Sequence, residues 1–316
     1  MLNQGFFYII YYMGELNFQP VQITDYDRVY EYTSAYGENS CQHSPVSMFS
    51  LAGKYDDHIC IEDGFLYIMR DDLCDDTYRV YLAPLGGGDL KKAYENIFAD
   101  AAAHGKKSKF LTLTQKHAEF LEKEFPGRFD ISEERDLAEY VYFTEKMSEF
   151  SGKKLRKRRQ EVAKFFEEYG DRVEIKLIEK SDHEDIIQFE KEWVVFNSET
   201  HDEAALLIEQ VEIKRQLSVF DELHLSGIIL RIDGEVHGFG YGTKLNDDCF
   251  DAIIEKGDRG IPNIYKVLRR ESVRMCALDC TYINLEEDVG SEGLRNLKLA
   301  YQPEYLISKY IVTEVV

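Results

Sequence analysis

Two stretches of alternating hydrophobic and polar residues, about half a chain apart, predict the same run of elements. In the C-terminal stretch, Gly227–Ile232 alternates and meets Asp233-Gly234, a dipeptide suited to the positive φ angles of a tight hairpin turn. The return strand is Glu235–Lys244, and another strand follows at Cys249–Ile254. A loop from Gly257 to Pro262 opens a helix through about Ala277. A strand at Tyr282–Leu285, a helix at about Ser291–Ala300 and a last strand near Tyr305–Val312 complete the order.

The N-terminal stretch repeats it. His58–Ile61 meets Asp63-Gly64 and returns as Phe65–Arg70, Tyr78–Ala83 is the next strand, and Gly86-Gly87-Gly88 leads to a helix capped by Asp89. A strand at Lys109–Leu113, a helix at Gln115–Phe125 and closing strands at Phe129–Ile131 and Glu139–Phe143 follow. The hairpin aspartates Asp63 and Asp233 are 170 residues apart, Gly86 and Gly257 are 171 apart, and Phe110 and Tyr282 are 172 apart. Several elements at one offset indicate an internal duplication. The expected fold is mixed α/β in two similar domains, residues 1–148 and 149–316, each a mostly antiparallel sheet flanked by helices. Thr144–Gly152 reads as the linker. A charged helix over Lys153–Tyr169, a strand at Val173–Ile178, and helical periodicity to about Asn197 and over Asp202–Phe220 supply the first layer of the second half.

Composition narrows the function. With 44% hydrophobic and 13% aromatic residues the 316-residue chain is globular. Its formal net charge of −21 repels nucleic acid and anionic lipid unless a local basic patch prevails, and argues against a DNA-binding protein. The six cysteines (Cys41, Cys60, Cys74, Cys249, Cys276, Cys280) show no CxxC pair or metal-ligand spacing and suit a reducing cytoplasm. The dense apolar run Phe6–Met13 is far short of the roughly 20 residues of a membrane helix. It is an added edge strand, or translation starts at Met13 instead of Met1; stable membrane insertion is not expected.

Both strand–glycine-loop–helix junctions, Gly86–Asp89 and Gly257–Asn263, read either as phosphate cradles of backbone N–H groups or as plain turns. A phosphate would fall on Gly257, Gly260 and Asn263. Gly238-x-Gly240-x-Gly242 sits inside a strand with no helix after it, which excludes a dinucleotide motif and suggests a bulge or the close approach of a ligand. His237 reads as a core or ligand-lining residue, and Trp193, with Phe189 and Phe196, as packing. Lys153–Arg159 is a basic patch in an acidic protein, in which Lys154 and Arg158 share a helix face: either a solvated surface or an anion site. Glu286, Glu287 and Asp288 end a strand, and the helix beyond carries Arg295 and Lys298. Carboxylates so placed suit proton removal from an amine nucleophile, and Glu255 and Lys256 end the neighbouring strand.

Gly152-Lys153-Lys154-Leu155, Lys157-Arg158 and Lys164-Phe165, then Glu255-Lys256 and Tyr265, then Ile283-Asn284-x-Glu286-Glu287-Asp288-x-Gly290-x-x-Gly293-Leu294-Arg295-x-x-Lys298-x-x-Tyr301-x-Pro303 resemble the soluble bacterial group related to the C-terminal domain of lysyl-phosphatidylglycerol synthases. The last motif is the most specific, and the resemblance extends from about Asn17. It implies two tandem GNAT-like acyltransferase domains. Membrane relatives of that group move an aminoacyl group from tRNA to a lipid head group, and related tandem proteins load amino acids onto peptidoglycan precursors. The sequence has no membrane-embedded half, so the resemblance implies a reaction class and no acceptor. The expectation is acyl or aminoacyl transfer to an amine or hydroxyl by direct attack. The donor is acyl-CoA or aminoacyl-tRNA, and no cofactor is permanently bound. Glu286, Glu287, Asp288 and Lys298 form the candidate catalytic set. Lys154, Arg158 and Arg295 would hold anionic groups, and Glu255 and Lys256 would line the cleft. The competing class is a non-catalytic binding protein on the same fold. On either reading the first half is a scaffold or acceptor-side domain.

Overall fold

In the computed structural model, which describes residues 15–50, 56–198 and 203–315, both Asp-Gly dipeptides turn hairpins. Asp63 and Gly64 have φ of 50° and 76°, and Asp233 and Gly234 have 53° and 88°, the paired positive angles of a type I′ turn. The run Phe6–Met13 lies outside the described residues.

The first half comprises β1 (Gln19–Pro20), α1 (Tyr26–Tyr36), α2 (Pro45–Ser50), β2 (Asp57–Glu62), β3 (Phe65–Arg70), β4 (Tyr78–Tyr81), β5 (Leu85–Gly86), α3 (Leu90–Ala103), β6 (Lys107–Thr114), α4 (Gln115–Glu124), β7 (Phe129–Glu133) and β8 (Glu139–Phe143). The second comprises α5 (Thr144–Glu149), α6 (Arg156–Tyr169), β9 (Val173–Leu177), α7 (His183–Asn197), α8 (Glu203–Ser218), β10 (Ser226–Ile232), β11 (Glu235–Asn246), β12 (Cys249–Gly257), α9 (Ile264–Cys276), β13 (Tyr282–Glu287), α10 (Glu292–Ala300), β14 (Tyr305–Ile307) and β15 (Lys309–Glu314). Asp89 caps α3 by accepting from the Lys92 amide at 3.1 Å, and Ser291 caps α10 through the Leu294 amide.

Three expectations are corrected. The segment read as a linker is helix α5. Helix α6 begins at Arg156, so Lys154 precedes it and shares no helix face with Arg158. The last strand divides at Ser308 into β14 and β15, which join different sheets.

That division matters most. One sheet runs β1-β2-β3-β4-β6-β15-β7, with β5 beside β3, and the other runs β14-β8-β13-β12-β11-β10-β9. The final strand of each half is therefore inserted into the sheet of the other, and the sheets do not divide at residue 148. The alternating side chains explain the exchange. Tyr140 and Tyr142 of β8 are buried in the core of the second sheet, among Val267, Leu268 and Ile283. Val312 of β15 is buried in the first core with Tyr67, Tyr81, Tyr94 and Phe110. Each fully buried apolar side chain of this size stabilises by roughly 1.5–3 kcal/mol. A third core lies between α7, α8 and the second sheet and takes in Tyr26 and Val46 from the first half. Among the described residues, only β4–β6 and β12–β13 pair in parallel. No helix among the described residues is long and apolar enough to cross a membrane.

Candidate active site between the two halves

Strands β12 and β13 pair only over Cys249–Asp251 and Tyr282–Asn284, then diverge. A cavity of about 300 Å³ opens there, walled by Glu286 and Glu287 from β13, Ile253 and Ile254 from β12, and Glu209, Glu212 and Gln216 from α8. The first half closes it with Cys41, Arg70, Leu111 and Thr112. Four glutamates thus face a single arginine, and Arg70 already pairs with Asp57 at 3.2 Å.

The exchanged strands support this wall. Glu139 of β8 and Lys309 of β15 are both completely buried and lie 2.6 Å apart. Glu139 also accepts from Ser40 Oγ at 2.9 Å, the Cys41 amide at 3.0 Å and Asn284 Nδ2 at 2.6 Å. Burial alone would raise its carboxyl, but Lys309 and these donors hold it below the ordinary value. Asn284 Oδ1 in turn accepts from the Glu286 amide at 2.7 Å, where the backbone turns left-handed (φ 58°). Asp251, fully buried with neither oxygen hydrogen-bonded, is pushed well up by burial and by Glu139 and Glu287. Glu286 is raised by burial and by Asp251 and Glu287. Glu287 is raised by burial and by Glu139. Carboxyls that cannot all ionise together share protons, which provides an acid and a base in one place.

Of the candidate residues, only Glu286 and Glu287 line the cavity. Asp288 is buried and fully engaged: Arg295 binds both its oxygens at 2.9 and 2.8 Å, Tyr140 donates at 2.6 Å and the Gly290 amide at 3.0 Å. Arg295 chiefly holds its carboxyl well below the usual range. Arg295 also bonds Asp136. Lys298 is buried and donates to the Leu285 carbonyl at 2.6 Å and to that of Glu287. It clasps the backbone that presents the two glutamates, and burial lowers its pKa. Glu255 is paired with Arg269 at 2.6 Å. Lys256 contacts Glu209 and lies 3.8 Å from the Trp193 ring centre. Lys154 donates to Gln302 at 2.6 Å, and Arg158 pairs with Glu161 and stacks on Tyr301.

The glycine loops are occupied by the chain itself. Asp258 Oδ1 accepts from the Gly260 amide at 2.7 Å, Oδ2 meets His237 at 3.1 Å, and the Gly257 carbonyl accepts from Trp193 and Tyr265. Asn263 is left-handed and makes no side-chain cap. In the first half the Asp89 carboxylate sits at the start of α3, where it accepts from the Lys92 amide. An anion would meet a carboxylate at either loop. Gly242 does permit a close approach, but by the Asp251 carbonyl of the adjacent strand. Phe196, expected to pack beside Trp193, is 69% exposed.

Sequence reasoning missed the α8 wall. Glu209, Glu212 and Gln216 fall at helical spacing on one face, the signal that could have found it. Carboxylates on one face ordinarily mean solvent, however. Asp251, Glu139 and Lys309 carry no local signal at all.

The model of the family described as phosphatidylglycerol lysyltransferase, C-terminal, matches residues 35–313. The chain belongs to that family. Its similarity to solved structures covers the whole fold. A conserved protein of unknown function from Bacteroides thetaiotaomicron is 28% identical, with 95% of this chain and 100% of that one covered at a TM-score of 0.89. L-PGS from Bacillus licheniformis is 14% identical, with 96% and 93% covered at a TM-score of 0.62; at that identity the likeness shows the fold alone. Protein MYCGA3080 of Mycoplasmoides gallisepticum, itself uncharacterized, is 26% identical over 173 residues, 55% of each chain. The chain thus spans about half the length of that curated relative. The chain is a pair of mixed sheets flanked by helices, exchanged at their final strands.

Proposed function

We propose that the chain transfers an aminoacyl group bearing a cationic side chain from a tRNA ester to an acceptor amine or hydroxyl. The observation that carries this reading is the charge of the cavity: four glutamates and one paired arginine around about 300 Å³. That volume is at the small end for ligand pockets and suits one amino-acid residue. Carboxylates there favour ammonium groups and repel phosphate.

The acceptor's nitrogen or oxygen bonds to the ester carbonyl carbon and its N–H or O–H proton passes to Glu286 or Glu287. The ester C–O bond breaks, and the leaving tRNA oxygen takes up a proton from the same set of carboxyls. Lys298 acts by fixing the backbone that presents them, and Asp288 by tying the following loop to Arg295. An ester donor is preferred over a coenzyme A thioester because both glycine loops already hold carboxylates. The exposed Lys153, Lys154, Arg156 and Lys157 offer the tRNA a local surface against the global charge. Such a donor places the protein in the cytoplasm.

The test is incubation with lysyl-tRNA, alanyl-tRNA and acetyl-CoA in the presence of a primary amine acceptor, measuring release of the acyl group. Release from lysyl-tRNA by the wild type, with at least a tenfold loss in E286Q/E287Q, supports the reading. Equal release by that variant, or consumption of acetyl-CoA alone, refutes it.

A further inference from the structure

Each half carries the same irregularity in the fifth strand of its sheet, counted from β1 or β9: β6 in one and β13 in the other. Against β15, Tyr310 stands opposite Leu113 and Val312 opposite Phe110. Against β8, Glu139 stands opposite Glu287 and Val141 opposite Asn284. In both, one extra residue bulges from the longer strand, and Thr112 and Glu286 occupy the same place in it. Both are left-handed, with φ of 54° and 58°, and both line the one cavity.

For Glu286 the conformation serves the site, since it turns a carboxyl into the cavity. For Thr112 it is costly, because a β-branched side chain in this region crowds its own backbone. Among the described residues the other β-branched instance is Val289, which lies outside any strand and is exposed. Thr112 is buried within a strand, and its hydroxyl donates to the adjacent Leu111 carbonyl at 2.8 Å. That bond consumes the hydroxyl hydrogen and leaves the oxygen as an acceptor. Strain retained at a cavity wall is the pattern of a residue kept for function.

We infer that Thr112 is a ligand-contacting residue: as the first half's counterpart of Glu286, it accepts a hydrogen bond from an N–H of the ligand. The site is then built from both copies of the bulge, and the first half is more than a scaffold. The inference rests on the proposed reading of the cavity as a site for an ammonium-bearing ligand.

The probe is L-lysine ethyl ester, titrated calorimetrically into the wild type, T112G, T112S and E286Q, with thermal midpoints measured alongside. Glycine takes the left-handed backbone freely, so T112G should melt at the wild-type temperature or up to about 4 °C above it. It should bind the ester about 10–100-fold more weakly, whereas T112S, which keeps the oxygen, should stay within about threefold. Wild-type binding weakened in E286Q but retained in T112G overturns the role of Thr112 and leaves the cavity reading standing. A fall of about 5 °C or more in T112G shows that the residue is needed for the fold and likewise overturns it. No binding by the wild type overturns both.

Discussion

Glu190 of α7 is 1% exposed, and neither of its carboxylate oxygens has a hydrogen-bond partner. Its nearest cation, Lys256, is 4.0 Å away and in contact with Glu209. Burial pushes the Glu190 carboxyl from 4.5 to about 7, with Lys256 pulling it down and Glu209 pushing it up. The folded protein therefore keeps a proton there that the unfolded chain has lost. Because the folded value is the raised one, the stability of the neutral form is complete below pH 4.5. It declines as pH rises through about 7 and stays lost above it. The interval between the two values corresponds to about 3 kcal/mol, of which roughly 2 kcal/mol falls between about pH 5.5 and about pH 8.5. Replacing Glu190 with Gln removes the titration while nearly preserving shape. Urea unfolding should show the E190Q advantage over wild type growing by roughly 2 kcal/mol from the lower pH to the higher, and Trp193, stacked on Lys256, gives a local fluorescence signal. A gap that stays constant within about 0.5 kcal/mol would mean that Glu190 is ionised throughout, and would refute the reasoning.

Other outcomes follow from the exchanged strands and the loop. Replacing Lys309 alone with Met leaves the buried Glu139 charge uncompensated and should cost about 3–5 kcal/mol in chemical denaturation, whereas the joint E139Q/K309M change, which keeps an acceptor oxygen among Ser40, Cys41 and Asn284, should recover most of that loss. Asp288 is held low by Arg295, so its contribution is present above its unfolded value and lost as pH falls towards the folded one. D288N should be less stable than wild type at neutral pH and lose less on acidification, which thermal melts across the acid range can show. If the D288N and wild-type curves run parallel, Asp288 does not titrate with folding.

The two hairpins were legible because an Asp-Gly turn is a local event: two residues set the φ angles and the flanking alternation sets the strands. The same holds for helices α3 and α10, whose caps lie within three residues of the groups they satisfy. Helices α1 and α2 were not legible, because their apolar residues split between their own half and the second sheet. Candidate site residues near β13 were recognised by charge and spacing, which say nothing of who neutralises whom. Asp288 and Glu287 are adjacent, yet one is locked to Arg295 and the other faces the cavity.

The chain by itself thus determined the duplication, the order of elements and the clustering of acids at the end of β13, since all depend on residues a few positions apart. Only the tertiary structure decided that β8 and β15 exchange sheets. A short alternating strand pairs equally well with either edge until the cores on both sides are compared. The same exchange brings Glu139 to Lys309, and the packing of the two halves sets Thr112 in the same cavity as Glu286 and the α8 carboxylates. These are contacts between residues 99 positions apart and more, as in Ser40 with Glu139, and their energies arise from burial that no local pattern records.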